Sequence, residues 1–219
     1  FLFVFPVLNL YFPYWIKIHA DRYCYIPSAF LFVSILTVLF LLKGFLKYII
    51  MLLYWGFSLL FLFQNNFSWH EAGVLQQKLE TNFRWWNSKH VYILNLPDNI
   101  RGAYLYRNLR PSQFAGDFIK YNFRIPSDNI TEVLSYNLNS LQDSVTIEKL
   151  NEQTLRVSLT PSNNWWWHHT EGATNYENDK VRVSVEEGNR SYIIAFKQKA
   201  EGDVYLYQAN GEWHQVKGF

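Results

Sequence analysis

Residues 45–63 read FLKYIIMLLYWGFSLLFLF, with Lys47 as their one charge. That length is close to the ~20 residues with which a helix crosses a hydrocarbon core of ~30 Å. Immediately upstream, residues 26–42 carry no charge at all, and only Lys43-Gly44-Phe45-Leu46-Lys47 separates the two runs. A turn so short forces neighbouring helices to lie antiparallel, so residues 1–64 are predicted to hold a membrane α-helical hairpin with spans at about 26–43 and 45–63. Pro27 suits the first turn of the earlier span, where its missing N–H costs nothing.

Working outward towards the N-terminus, His19-Ala20-Asp21-Arg22-Tyr23-Cys24-Tyr25-Ile26-Pro27 is a charged and aromatic knot at the mouth of that span. Phe1 to Trp15 is apolar but interrupted by Pro6 and Pro13, which reads as the tail of another span. Tyr11, Tyr14, Trp15, Tyr23 and Tyr25 then form an aromatic belt at headgroup depth. Charge leaves the orientation open: Lys43 and Lys47 stand on one side, Lys17 and Arg22 on the other. With no initiator Met and no basic leader or small-residue cleavage site, the chain reads as the C-terminal piece of a longer polytopic protein.

The overall charge of +2 hides a split. Residues 1–64 carry Lys17, Asp21, Arg22, Lys43 and Lys47, and the remainder holds acidic and basic groups in near balance. Neither part has the basic excess that a nucleic-acid partner demands. The single cysteine, Cys24, excludes an intrachain disulfide.

Beyond the membrane region, residues 65–140 are expected to link helix and strand, and 141–219 to form a β-rich domain. Residues 68–88 read as an amphipathic helix, with Ser68 as N-cap, Glu71 completing a capping box, and Val74, Leu75, Lys78, Leu79, Asn82 and Phe83 at helical spacing. His90 to Leu96 (HVYILNL) reads as a strand broken by Pro97-Asp98-Asn99, and Arg101 to Arg110 reads either as a strand by alternation or as a helix opening at Asn99, the helix being preferred. Three hairpins follow: Val145–Leu150 with Leu155–Thr160, Lys180–Glu186 with Tyr192–Lys199, and Val204–Gln208 with Glu212–Lys217. The last turns on Asn210-Gly211, a strong hairpin signal. In VRVSV, Val181, Val183 and Val185 fall on one face and Arg182 and Ser184 on the other. The predicted fold class is therefore a membrane helical hairpin plus an α+β domain with a mostly antiparallel β meander or sandwich.

Asp21-Arg22-Tyr23-Cys24-Tyr25-Ile26-Pro27 followed by an apolar helix resembles the (D/E)R-x-x-Y-(L/I)-P segment of GT-C-type membrane glycosyltransferases. The likeness is to the protein O-mannosyltransferase-like, tetratricopeptide-bearing branch and its bacterial relatives, and it covers about residues 10–63. Tyr92-Ile-Leu-Asn-Leu-Pro-Asp98, followed by Gly102-Ala103-Tyr104, also looks like the region after the last span in bacterial proteins of this kind. Such enzymes pass a sugar from a polyprenyl-phosphate carrier to an acceptor on the extracytoplasmic side. Their catalytic acids lie in a first external loop that this chain lacks. The resemblance implies that Asp21 and Arg22 face outward, that the protein sits in a bacterial inner membrane, and that residues 64–219 are extracytoplasmic. No cofactor is implied, and the fragment alone is expected to be inactive.

Two roles fit Arg22. Its guanidinium can hold a carrier phosphate through two parallel hydrogen bonds, or it can snorkel to the interface and pair with Asp21. Asp21 can orient Arg22, and His19 and Lys17 can extend an anion site. Tyr23 completes the candidate substrate-binding set of His19, Asp21, Arg22 and Tyr23, although a belt role suits it too. Trp165-Trp166-Trp167-His168-His169 offers aromatic faces for a sugar, but large aromatics mostly fill cores. Adjacent histidines rarely converge on one ion, so no metal site is expected. Glu186-Glu187, Glu201 and Asp203 read as strand-end or turn carboxylates. There is no Walker loop, dinucleotide fingerprint or G-x-S-x-G elbow. The alternative to the transferase is a non-enzymatic membrane-anchored protein whose external domain binds a partner or glycan.

Overall fold

The computed structural model describes residues 33–34, 37, 40–41, 44–84, 88–106, 129–160, 166–168, 171–172 and 174–219. The chain divides into two compact units, 1–66 and 67–219. In the first, residues 33, 34, 37, 40 and 41 are helical, and the Thr37 hydroxyl donates to the Val33 carbonyl. Most of the predicted span at 26–43 lies outside the described residues. Gly44 turns the chain at φ 78°, a backbone state open to glycine at little cost. Helix α1 (Leu46–Thr81) then begins. Leu52, Leu53, Trp55, Phe57, Leu60 and Phe63 are all exposed, and none of its most apolar stretch is buried. This is the one helix, among the described residues, long and apolar enough to cross a membrane. A helix apolar on every side and left uncovered is what lipid, rather than water, would stabilise.

The second unit contains the end of α1, which runs without interruption to Thr81. Ser68 is therefore not an N-cap. A cap satisfies N–H groups that lack a carbonyl one turn back, and inside a continuous helix those partners exist. Ser68 is instead buried in line with Ala72, Leu75, Leu79 and Phe83, a face at three- and four-residue spacing. Val74, expected on that face, is exposed. The Trp213 indole fixes the helix by donating to the Leu79 carbonyl at 3.0 Å while its ring meets Phe83 edge-on.

Among the described residues, fourteen strands form three sheets. The first has order β14-β13-β1-β4: Glu212–Gln215, Asp203–Ala209, His90–Ile93 and Ile130–Glu132. The second, β10-β11-β12-β7-β6, comprises Tyr176–Glu177, Val181–Val185, Ser191–Phe196, Thr154–Thr160 and Ser144–Asn151. It is antiparallel throughout. The third, β3-β2-β5-β8-β9, comprises Ala103–Tyr104, Leu96–Ile100, Ser135–Leu138, Trp166–His168 and Glu171–Gly172.

Three pairings depart from the expected antiparallel pattern: β1 runs parallel to both β13 and β4, and β2 runs parallel to β5. The β1–β4 and β2–β5 pairings belong to two bent segments. β1 and β2 are one stretch broken at Leu94-Asn95, and β4 and β5 are another broken at Val133-Leu134. They travel side by side from the first sheet into the third. At the bend the Val133 N–H reaches the Ile93 carbonyl at 2.8 Å, and the Leu96 N–H reaches the Leu134 carbonyl at 2.7 Å. Strands that switch sheets at such a corner let two sheets wrap one core. Tyrosines of the antiparallel sheet bond carbonyls there, Tyr192 to Leu94 at 3.1 Å and Tyr176 to Val133.

The segment after HVYILNL is corrected as well. Pro97-Asp98-Asn99 does not end a strand but lies within β2, where the register against β5 shifts between Pro97 and Asn99. A bulge tolerates proline because the ladder is already missing a donor there. Residues 101–106 are not helical: Arg101 (φ 49°) and Gly102 (φ 89°) form a two-residue turn joining Ile100 of β2 to Ala103 of β3. Both central residues at positive φ is the turn geometry that matches strand twist.

All three predicted hairpins are present as β6–β7, β11–β12 and β13–β14. Asn210 and Gly211 take φ 53° and 72° between the last two strands. Val181 and Val183 are buried and Arg182 exposed, as the alternation in VRVSV requires. By contrast Val91, Tyr92 and Ile93 are buried in succession, as are Val204, Tyr205 and Leu206. Strands buried on both faces lose the alternation, which is why HVYILNL reads as a continuous apolar run.

Candidate functional site

The substrate-binding set read from the sequence, His19, Asp21, Arg22 and Tyr23, lies outside the described residues, as do Trp85, Trp86, Trp165 and His169. Trp166 is described and is a core residue, almost wholly buried. Its ring packs at 4.7 Å on Tyr192 and its indole donates to the Asn189 carbonyl at 3.0 Å. It is therefore not a sugar platform. Residues 167 and 168 continue β8 and pair with β5 and β9.

The candidate carboxylates on the β-sheets are committed to local structure. Glu186 receives Arg156 through both carboxylate oxygens at 2.8–3.1 Å and the Ser191 hydroxyl at 2.6 Å. Those partners, the hydroxyl foremost, hold it below the usual carboxylate range. Arg156 also bonds Glu148 at 3.0 Å. Asp203 accepts the Ala200 N–H in the turn before β13. Glu177 of β10 pairs at 2.7 Å with Lys197, the residue after β12, reaching past β11. Each strengthens a turn or ties strands of the same sheet. Among the described residues no three His, Cys, Asp or Glu side chains gather as a metal site would need.

Two aromatic groupings carry more chemistry. Inside the sheets, Tyr92 stacks on Tyr205 at 5.0 Å, and Phe196 meets both edge-on. Burial, reinforced by Asp203, pushes the Tyr92 phenol up to about 12 and the Tyr205 phenol higher still. Both remain neutral in the physiological range. Lys199 caps the group with its ammonium 3.6 Å from the centre of the Phe219 ring. Desolvation, together with Lys149, lowers its pKa. The rings of Tyr92, Phe196 and Tyr205 are buried, so this grouping stabilises rather than binds.

The other grouping is on the surface. Phe67, Trp69 and Glu71 of α1 meet the β2–β3 turn, which brings Arg101 and Tyr104 to them. The Arg101 guanidinium pairs with Glu71 and sits 5.7 Å from the Phe67 ring centre, while Trp69 meets Tyr104 edge-on at 6.2 Å. Phe67 and Trp69 remain about half exposed, at 49% and 55%. No described neighbour covers them to the extent that Leu75 or Leu79 is covered. Sequence reading missed this cluster because it assigned Arg101 to a helix. The Arg-Gly pair directly after Ile100 was the signal for a tight turn.

No family model, curated protein or solved structure matches this chain.

Proposed function

We propose that this chain is part of an integral-membrane glycosyltransferase that uses a polyprenyl-phosphate-linked sugar, with residues 64–219 as its extracytoplasmic module. The Asp21–Pro27 segment, set directly before an apolar run, carries the reading, and the uncovered apolar part of α1 supports a membrane setting. In this reading Arg22 grips the carrier phosphate with its planar fork, Asp21 orients it, and His19 and Tyr23 line the headgroup side. The bond-making acid belongs to a loop supplied from elsewhere in the parent protein.

The test is transfer from a polyprenyl-phosphate sugar by the parent protein in membranes. Arg22→Lys keeps the charge but loses the fork, so carrier use should weaken. Unchanged carrier dependence would remove Arg22 from the site. The isolated chain should transfer nothing, and transfer by it would contradict the assignment of the catalytic loop.

A second reading, a membrane-anchored module that binds a partner or glycan, is favoured by the commitment of Glu148, Glu177 and Glu186 to ion pairs. Saturable glycan binding by the chain, with no transfer from the parent protein, would select it.

A further inference from the structure

We infer that Phe67, Trp69, Arg101 and Tyr104 form a lipid-headgroup contact that holds the β2–β3 turn against the membrane surface. The inference rests on the membrane setting proposed above and adds a specific docking surface to it.

Three observations lead there. The first is continuity. Phe67 and Trp69 follow Phe63, the last residue of the apolar run, by four and six positions in the same helix. At 1.5 Å per residue these positions lie about 6 Å and 9 Å beyond the run. The headgroup layer on each side of a bilayer is about 5–7 Å deep. Helical Cα–Cβ bonds tilt towards the N-terminus, so both rings reach back towards the apolar run and into that layer.

The second is chemistry. Aromatic rings with a polar edge, together with a guanidinium, are the side chains enriched at the membrane–water boundary. Here Arg101 lies over Phe67 and Tyr104 meets Trp69, on the two flanks of the buried Ser68–Ala72 face of the helix, with Phe67 and Trp69 left about half exposed. The Arg101 charge is matched by Glu71, so the surface fits a headgroup layer generally and does not depend on acidic lipid.

The third is the backbone. Arg101 occupies φ 49°, a state that disfavours a side chain with a Cβ. Glycine would relieve it. The Arg101 side chain, paired with Glu71 and lying over Phe67, fixes the hairpin to the helix just past the apolar run.

The test uses the full chain with Cys24→Ser and single cysteines in place of Leu53, Trp69, Gly73, Arg101 or Glu187, each carrying an environment-sensitive fluorophore. Variants whose melting matches the parent are placed in phosphatidylcholine vesicles with nitroxides at either the headgroup or the deep acyl chain. Fluorophores at 69 and 101 should be quenched several-fold more by headgroup nitroxide than those at 73 and 187. The fluorophore at 53 should be quenched by the acyl nitroxide. If position 53 reads acyl chain while 69 and 101 match 187, the docking surface is wrong and the membrane setting stands. If position 53 reads water, both fall.

Discussion

The Asn95 carboxamide pairs with the main chain of Gln208 on both sides: its Nδ2 donates to the Gln208 carbonyl at 2.9 Å, and its Oδ1 accepts the Gln208 N–H at 2.8 Å. Asn95 stands where β1 bends into β2, and its side chain replaces the backbone partner that the bend removes from β13. Both residues are completely buried, so neither group has water as an alternative. Asn95→Leu should strand a buried N–H and a buried carbonyl and cost about 2–4 kcal/mol. Chemical denaturation of the detergent-solubilised chain measures it, and a loss under ~1 kcal/mol would show that the bend satisfies itself.

The face that α1 presents to the core is assigned by burial. Leu79→Ala should destabilise the fold by about 2–5 kcal/mol, because a fully covered side chain leaves a cavity. Val74→Ala, at an exposed position, should change stability by less than about 0.5 kcal/mol. Equal losses in the same denaturation experiment would mean the helix is rotated from its assigned face.

Gly211→Ala should cost about 1–2 kcal/mol from its positive φ alone. The new methyl would also lie 3.3 Å from Leu75 Cδ1, tighter than an ordinary contact. Shortening the neighbour with Leu75→Val should therefore recover part of the added loss. A double-mutant cycle reads this coupling, and strict additivity would show that the two side chains do not meet.

Glu186 supplies a pH dependence with a defined sign. Its folded carboxyl is held below its ordinary value by Ser191 and Arg156, so the unfolded chain binds the proton more readily. The contribution is present above the unfolded value of about 4.3 and is lost as pH falls through the folded one. Glu186→Gln should lower the melting temperature near neutrality and flatten its fall between about pH 5 and 3. An acid limb identical to the parent's would separate Glu186 from the acid sensitivity.

The local features were legible because they depend on residues close in sequence. Asn210-Gly211 names its turn through the positive φ that both positions adopt, and VRVSV names its faces through alternation. The failures share a cause. Ser68-x-x-Glu71 has the composition of a cap, but capping depends on whether a helix precedes it. Pro97 looks like a strand breaker, but a bulge accommodates it. Arg101 at positive φ violates the preference of its residue type, so propensity pointed to a helix.

The sequence by itself determined that an apolar helix precedes a domain of hairpins, because hydrophobic run length, alternation and turn chemistry are local quantities. The tertiary structure decided that HVYILNL and the segment from Ile130 run parallel, bend together and pass between sheets, with Tyr192 and Asn95 satisfying the groups at the bend. It also decided that Arg101 meets Phe67 and Glu71. Parallel pairing and cross-chain satisfaction of buried polar groups join residues distant in sequence, and no local periodicity encodes which of them will meet.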